Sequence, residues 1–156
     1  MLGMVKAIGT TLRAAFRKPV TVEYPTEKKV LPHRSRGFPV LLWDFEKIEP
    51  FCTGCHACER ACPVECMTVV MTDNPKFGKE EGDSKRRKIV DEFYIDYGRC
   101  MRCNICVEVC NFDAIAMNNT WAGHELSRVD RKDLVLDLDQ LLAQSKSKRI
   151  EPWVPS

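Results

Sequence analysis

Long apolar runs are missing from this chain of 156 residues. No stretch approaches the ~20 consecutive apolar residues that a helix needs to cross a bilayer, so no membrane-spanning helix is expected. The first twenty residues, MLGMVKAIGTTLRAAFRKPV, have no long apolar h-region and no small-residue cleavage site, so a secretory signal is not expected either. The first acidic residue is Glu23, which keeps an organellar transit peptide open, although the segment runs on without an obvious processing boundary. Histidine is scarce: His33 and His124 have no companion ligands near them and are read as structural or exposed. No nucleic-acid-binding motif is recognisable, and no nucleic-acid partner is expected.

Cysteine, by contrast, is abundant, with nine residues, eight of them in two short runs. CTGCHACERACP covers Cys52 to Pro63, and CMRCNICVEVCN covers Cys100 to Asn111. A disulfide scaffold would spread its cysteines through a secreted fold, so thiolates bound to metal in a reducing compartment fit better. The runs align without a gap at an offset of 48, pairing Cys52 with Cys100 and Cys62 with Cys110. A repeated supersecondary unit accounts for this most simply.

Three cysteines at x2, x2 spacing let one tight loop wrap a cubic iron–sulfur cluster, with backbone N–H groups turned toward its sulfur atoms. A cubane needs a fourth thiolate. In bacterial-type runs the fourth cysteine, on the short helix that follows, serves the other cluster. The motif therefore comes twice because each half completes its partner's site, and two 4Fe–4S clusters are expected. Zinc is the structural alternative, but it favours separated C-x2-C pairs closed by four ligands. A thioredoxin-like C-x-x-C lacks the βαβ context it requires. The ninth cysteine, Cys66, aligns with Ala114, where no ligand is needed, and is read as a small buried side chain beside a cluster. His56, between Cys55 and Cys58, is read as a solvent-facing loop residue; close to a cluster, its protonation would shift the potential.

Around the runs, helical spacing of Val5, Ile8, Leu12, Ala15 and Phe16 predicts an amphipathic helix over the first seventeen residues, ended by Pro19. It either packs on a protein neighbour or rests at a membrane surface. Residues 19 to 42 are punctuated by Pro19, Pro25, Pro32 and Pro39 and read as extended. Strands are expected near Phe45 to Ile48, from Met67, from Glu92 and from Ala114, with short helices at Ala57 to Cys62 and Ile105 to Cys110. Residues 74 to 88 read as a solvated loop with a solvated basic end from Lys85 to Lys88. In the tail, Leu134, Leu138, Leu141 and Leu142 predict one helix face, fraying after Ser145. Residues 1 to 36 carry eight Lys/Arg against Glu23 and Glu27, a balance of +6, while the remainder carries sixteen basic and twenty acidic residues, or −4. A basic arm on a mildly acidic body predicts an anionic neighbour for the arm.

The cysteine runs resemble the two-cluster ferredoxin family. FRKPVTVEYP (16–25), HRSRGFPVL (33–41), FYIDYGRCMRCNICVEVC (93–110) and HELSRVDRKDLVLDLDQLL (124–142) resemble one branch of it, the TYKY-type two-cluster subunit of respiratory complex I, NADH:quinone oxidoreductase. The resemblance covers roughly residues 4 to 143. It implies an α+β, bacterial ferredoxin-like fold with a pseudo-two-fold repeat. The domain limits expected are a basic arm over 1–42 (helix plus extended segment), a 2×(4Fe–4S) domain over 43–120 and a helical tail over 121–156. It implies ligand sets of Cys52, Cys55, Cys58 and Cys110 for one cluster, and Cys100, Cys103, Cys106 and Cys62 for the other. The implied role is a non-catalytic electron relay without a substrate site of its own. Its implied partners are an upstream cluster-bearing subunit, the subunit holding the last cluster before quinone, and membrane-arm subunits reached through the arm. The implied place is the cytoplasmic face of a prokaryotic membrane. Alternatives are the equivalent subunit of a related membrane hydrogenase or ferredoxin:quinone oxidoreductase, or a free two-cluster ferredoxin, which is typically shorter and strongly acidic. One departure from the family is Asn111, where Pro usually follows the cysteine and turns the chain out of its helix.

Overall fold

A computed structural model describes residues 2–32, 35–78, 84–120 and 130–147. The chain divides into two units, residues 1–30 and 31–156. In the first, α1 spans Leu2–Ala15. Its last turn is closed by Arg17 N donating to Ala14 O, so the helix stops before Pro19, which disfavours helical backbone in the residue preceding it. None of its residues is buried. Neither α1 nor any other described helix is long and apolar enough to cross a membrane.

The second unit begins with three short strands: β1 (Pro39–Leu41), β2 (Trp43–Asp44) and β3 (Glu49–Pro50). The strand expected at Phe45 to Ile48 is instead the turn joining β2 to β3. Asp44 Oδ1 accepts from the N–H groups of Glu46 and Lys47, and Ile48 takes a left-handed φ of 53°. A local aspartate acceptor outcompetes a strand ladder for those donors. The first cysteine run then leads into α2 (Ala57–Ala61) and β4 (Met67–Asp73). After the charged loop come β5 (Lys88–Asp96), the second cysteine run with α3 (Ile105–Glu108), and β6 (Ile115–Met117).

Pairing crosses between the two halves. β1 lies antiparallel to β6 with Val40 opposite Ala116, and β4 lies antiparallel to β5 with Val69 opposite Phe93. Each strand that follows a cysteine run thus pairs with the strand that precedes the other run. The inward side chains Leu41, Val69, Phe93, Ile95 and Ile115 are all buried in the core.

The tail departs from the single helix expected there. Arg131–Leu134 form a 3-10 turn, Val135–Leu136 form β7 on the edge of β5, and α4 begins only at Leu138 and runs to Ser147. Asp137 explains the break. Its Oδ1 accepts from Gln140 N at 2.9 Å while Gln140 Oε1 accepts from Asp137 N at 3.2 Å, a reciprocal box that starts a helix at this point. Leu141 and Leu142 are buried as expected, and so is Ser145; fraying was expected after Ser145, but α4 continues to Ser147. α4 packs on β1, with Lys146 Nζ 4.0 Å from the centre of the Trp43 ring. The expected polar end beyond Lys148 and the segment with His124 lie outside the described residues, as does His33.

Residues 74 to 88 are not simply a solvated loop. Asn74 and Ser84 are buried, and both bond the carboxylate of Glu49, which is 2 % exposed. Arg86, expected on a solvated basic face, points inward. It donates to Glu49 Oε1 at 2.7 Å and Asp44 Oδ2 at 3.0 Å, and its guanidinium stacks over Phe51. Burial pushes the Asp44 carboxyl up, but the N–H groups of Lys47 and Glu46 together with Arg86 outweigh it and leave the group below its ordinary value. The loop's middle, residues 79–83, lies outside the described residues.

Candidate metal centres

Both cysteine loops are built from the same sequence of backbone states. Left-handed φ values occur at Gly54 (72°) and His56 (60°) in the first, and 48 positions later at Arg102 (54°) and Asn104 (77°) in the second. Those reversals curl the loop around its own centre. Past the helices the match continues with Glu65 (47°) and Asp113 (48°). Cys66 N donates to Cys62 Sγ at 3.5 Å, and Ala114 N donates to Cys110 Sγ at 3.4 Å. The chain therefore leaves both runs along the same path, although Pro63 follows one cysteine and Asn111 the other.

Since Arg102 holds a left-handed φ without being glycine, backbone freedom alone does not explain Gly54. Space does. A Cβ on Gly54 would lie 2.9 Å from Met71 Cβ and 3.0 Å from Met71 Cα on β4. Gly54→Ala is expected to push the first loop off β4, on top of about 1–2 kcal/mol for the left-handed residue. Iron content of the purified variant should fall toward half; full loading would show that β4 yields.

The structure gathers the cysteines in two groups. One cavity is lined by Cys52, Cys55, Cys58 and Cys110. The other is lined by Cys62, Cys100, Cys103 and Cys106, with Cys66 beside them. The fourth cysteine of each run thus faces the triple of the other run. Burial pushes the Cys52 thiol up to about 11 and the Cys58 and Cys106 thiols up to about 12. Desolvated thiols of this kind ionise only against a strong positive charge, which bound iron supplies. Four thiols at each site make a donor set that fits a 4Fe–4S cluster, and at the first site Gly54 N donates to Cys52 Sγ at 3.4 Å. With the clusters removed, this small core is expected to lose most of its structure, so a cooperative, native-like melt of the iron-free chain by circular dichroism would contradict it.

Cys66 is buried, as expected of a packing residue, yet it has polar neighbours: its Sγ is 3.5 Å from Cys62 Sγ. A hydrogen bond from Cys66 lowers the Cys100 thiol, while the Cys66 thiol is raised by donating it. Cys66→Ala is expected to leave both sites filled, because Ala114 occupies the equivalent place at the first site; loss of the second cluster's signal would instead make Cys66 a ligand. His56 is not a free solvent-facing side chain. It lines the first cavity, and its Nδ1 lies 2.7 Å from Glu59 Oε2. Two residues were not legible as site residues in the sequence. Arg36 donates to Cys103 O at 2.9 Å from 67 positions away, for which no local signal exists. Thr53 lines the first cavity; its only signal is polarity between two cysteines.

Fold and donor sets define a ferredoxin-type protein with two tetranuclear sites. In agreement, residues 51–114 match the 4Fe-4S dicluster domain, so the chain carries two 4Fe–4S clusters and the zinc alternative falls away. Among similar proteins is NADH-quinone oxidoreductase subunit I 2 of Symbiobacterium thermophilum, 37 % identical over 89 % of this chain and 54 % of that protein. The protein of the same name in Geobacter metallireducens is 30 % identical over 91 % of this chain and 98 % of its own length. NADH-quinone oxidoreductase subunit I of Shewanella woodyi is 35 % identical over 95 % and 79 %. The chain belongs to the NADH-quinone oxidoreductase subunit I family. It spans about half the length of the Symbiobacterium relative and 66 % of a Streptomyces coelicolor one.

Proposed function

We propose that this chain is the two-cluster electron-relay subunit of an NADH:quinone oxidoreductase, passing electrons toward the terminal cluster and quinone. The observation that carries the proposal is membership of the subunit I family together with two four-thiol sites in one domain. Cys52, Cys55, Cys58 and Cys110 would hold one cluster, and Cys100, Cys103, Cys106 and Cys62 the other. The crossed strand pairing and the left-handed residues repeating at an offset of 48 support a pseudo-two-fold relation between the halves. The clusters supply one-electron chemistry; the chain's own residues hold them and shield them from water. No substrate site is needed for this role. The chain would sit peripherally on the cytoplasmic side of the membrane, next to an upstream cluster-bearing subunit and the subunit with the last cluster before quinone.

The basic arm would reach the membrane-arm subunits, with limits at 1–42 for the arm, 43–120 for the cluster domain and 121–156 for the tail. Supporting this, Leu2, Val5, Ile8, Leu12 and Phe16 are all exposed in the arm. Purification from the native membrane in mild detergent tests the reading. A flavin-bearing, NADH-oxidising partner should co-purify; hydrogenase subunits, or no partner at all, would replace it with one of the alternatives.

A further inference from the structure

The two cluster sites are not equal. At the slot between the first and second cysteines, the first run has Thr53 and the second has Met101, which is 61 % exposed. Thr53 Oγ1 is buried and has no hydrogen-bond partner among the described residues. A buried hydroxyl without a partner is costly and calls for an explanation. Its surroundings narrow the choice. Thr53 lines the first cavity with the four thiols, His56, and apolar groups such as Val69 and Ala114. His56 Nδ1 already faces Glu59. Four of the residues lining that cavity carry sulfur, an acceptor for such a hydroxyl.

We propose that the Thr53 hydroxyl donates a hydrogen bond to a sulfur of the first-site 4Fe–4S cluster and thereby raises that cluster's reduction potential. This rests on the proposed occupancy of the first site by Cys52, Cys55, Cys58 and Cys110. The sign follows from charge. An added electron makes the cluster sulfurs more negative, so a donor aimed at them binds the reduced state more strongly. The second site has a thioether at the same slot and no such donor, so the effect is confined to one cluster.

The test uses the full chain loaded with both clusters, with iron and sulfide analysis and a redox titration followed by electron paramagnetic resonance. Thr53→Val keeps the shape and removes the O–H. It should lower the first cluster's reduction equilibrium constant about tenfold, or ~59 mV for one electron, and leave the second unchanged. Thr53→Ser keeps a donor and should stay close to the native value, and Thr53→Ala, which removes it without a branched side chain, should shift in the same direction as valine. Filled sites with an unmoved first potential, or with both potentials moved equally, overturn the hydrogen bond alone. A native chain without a first-site cluster overturns both the hydrogen bond and the ligand assignment beneath it.

Discussion

Cys110→Ala should strip the fourth thiolate from the cluster held by Cys52, Cys55 and Cys58, and leave the cluster of its own run intact. The affected site is expected to convert to a three-iron form or to empty, a loss of one to four irons from one site. Cys62→Ala should do the same to the cluster held by Cys100, Cys103 and Cys106. Along the chain, Cys110 looks like the fourth ligand of its own loop. In space, α3 carries it away, and it lines the first cavity with the other triple. Alanine is preferable to serine because a serine oxygen can still bind iron. Spectroscopic assignment of each cluster after each substitution decides the matter. If Cys110→Ala removes the cluster of its own run and spares the other, the crossed arrangement is wrong.

Arg86→Ala should be strongly destabilising, although it lies away from the cysteines. It leaves the side chain of Glu49, 3 % exposed, and that of Asp44, 11 % exposed, without their counter-charge. Removing one partner of a buried ion pair costs about 3–5 kcal/mol, because the remaining charge cannot return to water. Asn74 and Ser84 would keep two hydrogen bonds on Glu49 but supply no positive charge. Anaerobic denaturant unfolding of the cluster-loaded chain, followed by circular dichroism, should show a clearly lower midpoint than for the native chain. Lys88→Ala is the control. Its partner Asp73 is exposed, so solvent already screens the pair and little change is expected. An unchanged midpoint for Arg86→Ala would mean that water reaches the network and replaces the guanidinium.

Much of the chemistry was legible in order alone. Cysteine spacing and the 48-residue offset are local facts, and so are the short helices within the runs and the strand that begins at Met67, whereas the strand expected from Glu92 begins already at Lys88. The rule that the fourth cysteine serves the other cluster also comes from spacing, although its fit to the two cavities became visible only in space. The family was readable because its arm and tail segments are continuous stretches. Misreadings cluster where a single side chain redirects the backbone. Asp44 turns an expected strand into a turn, and Asp137 with Gln140 divides an expected helix into a strand and a helix.

The pattern of residue types could not tell a solvated arginine from a buried one. Arg86 sits in a basic stretch, and only Asp44 and Glu49, some forty positions earlier, draw it inward. The Gly54 requirement is of the same kind, because Met71 comes to lie against it only when β4 folds back past the loop. Thr53, too, becomes a site residue only when the fold places it, with its hydroxyl buried, on the cavity that four cysteines line. Spacing along the chain determines which atoms can wrap one small cluster, because a tight loop is short. Which distant groups then share a low-dielectric space is decided by tertiary packing, since burial and pairing depend on neighbours that the local sequence does not contain.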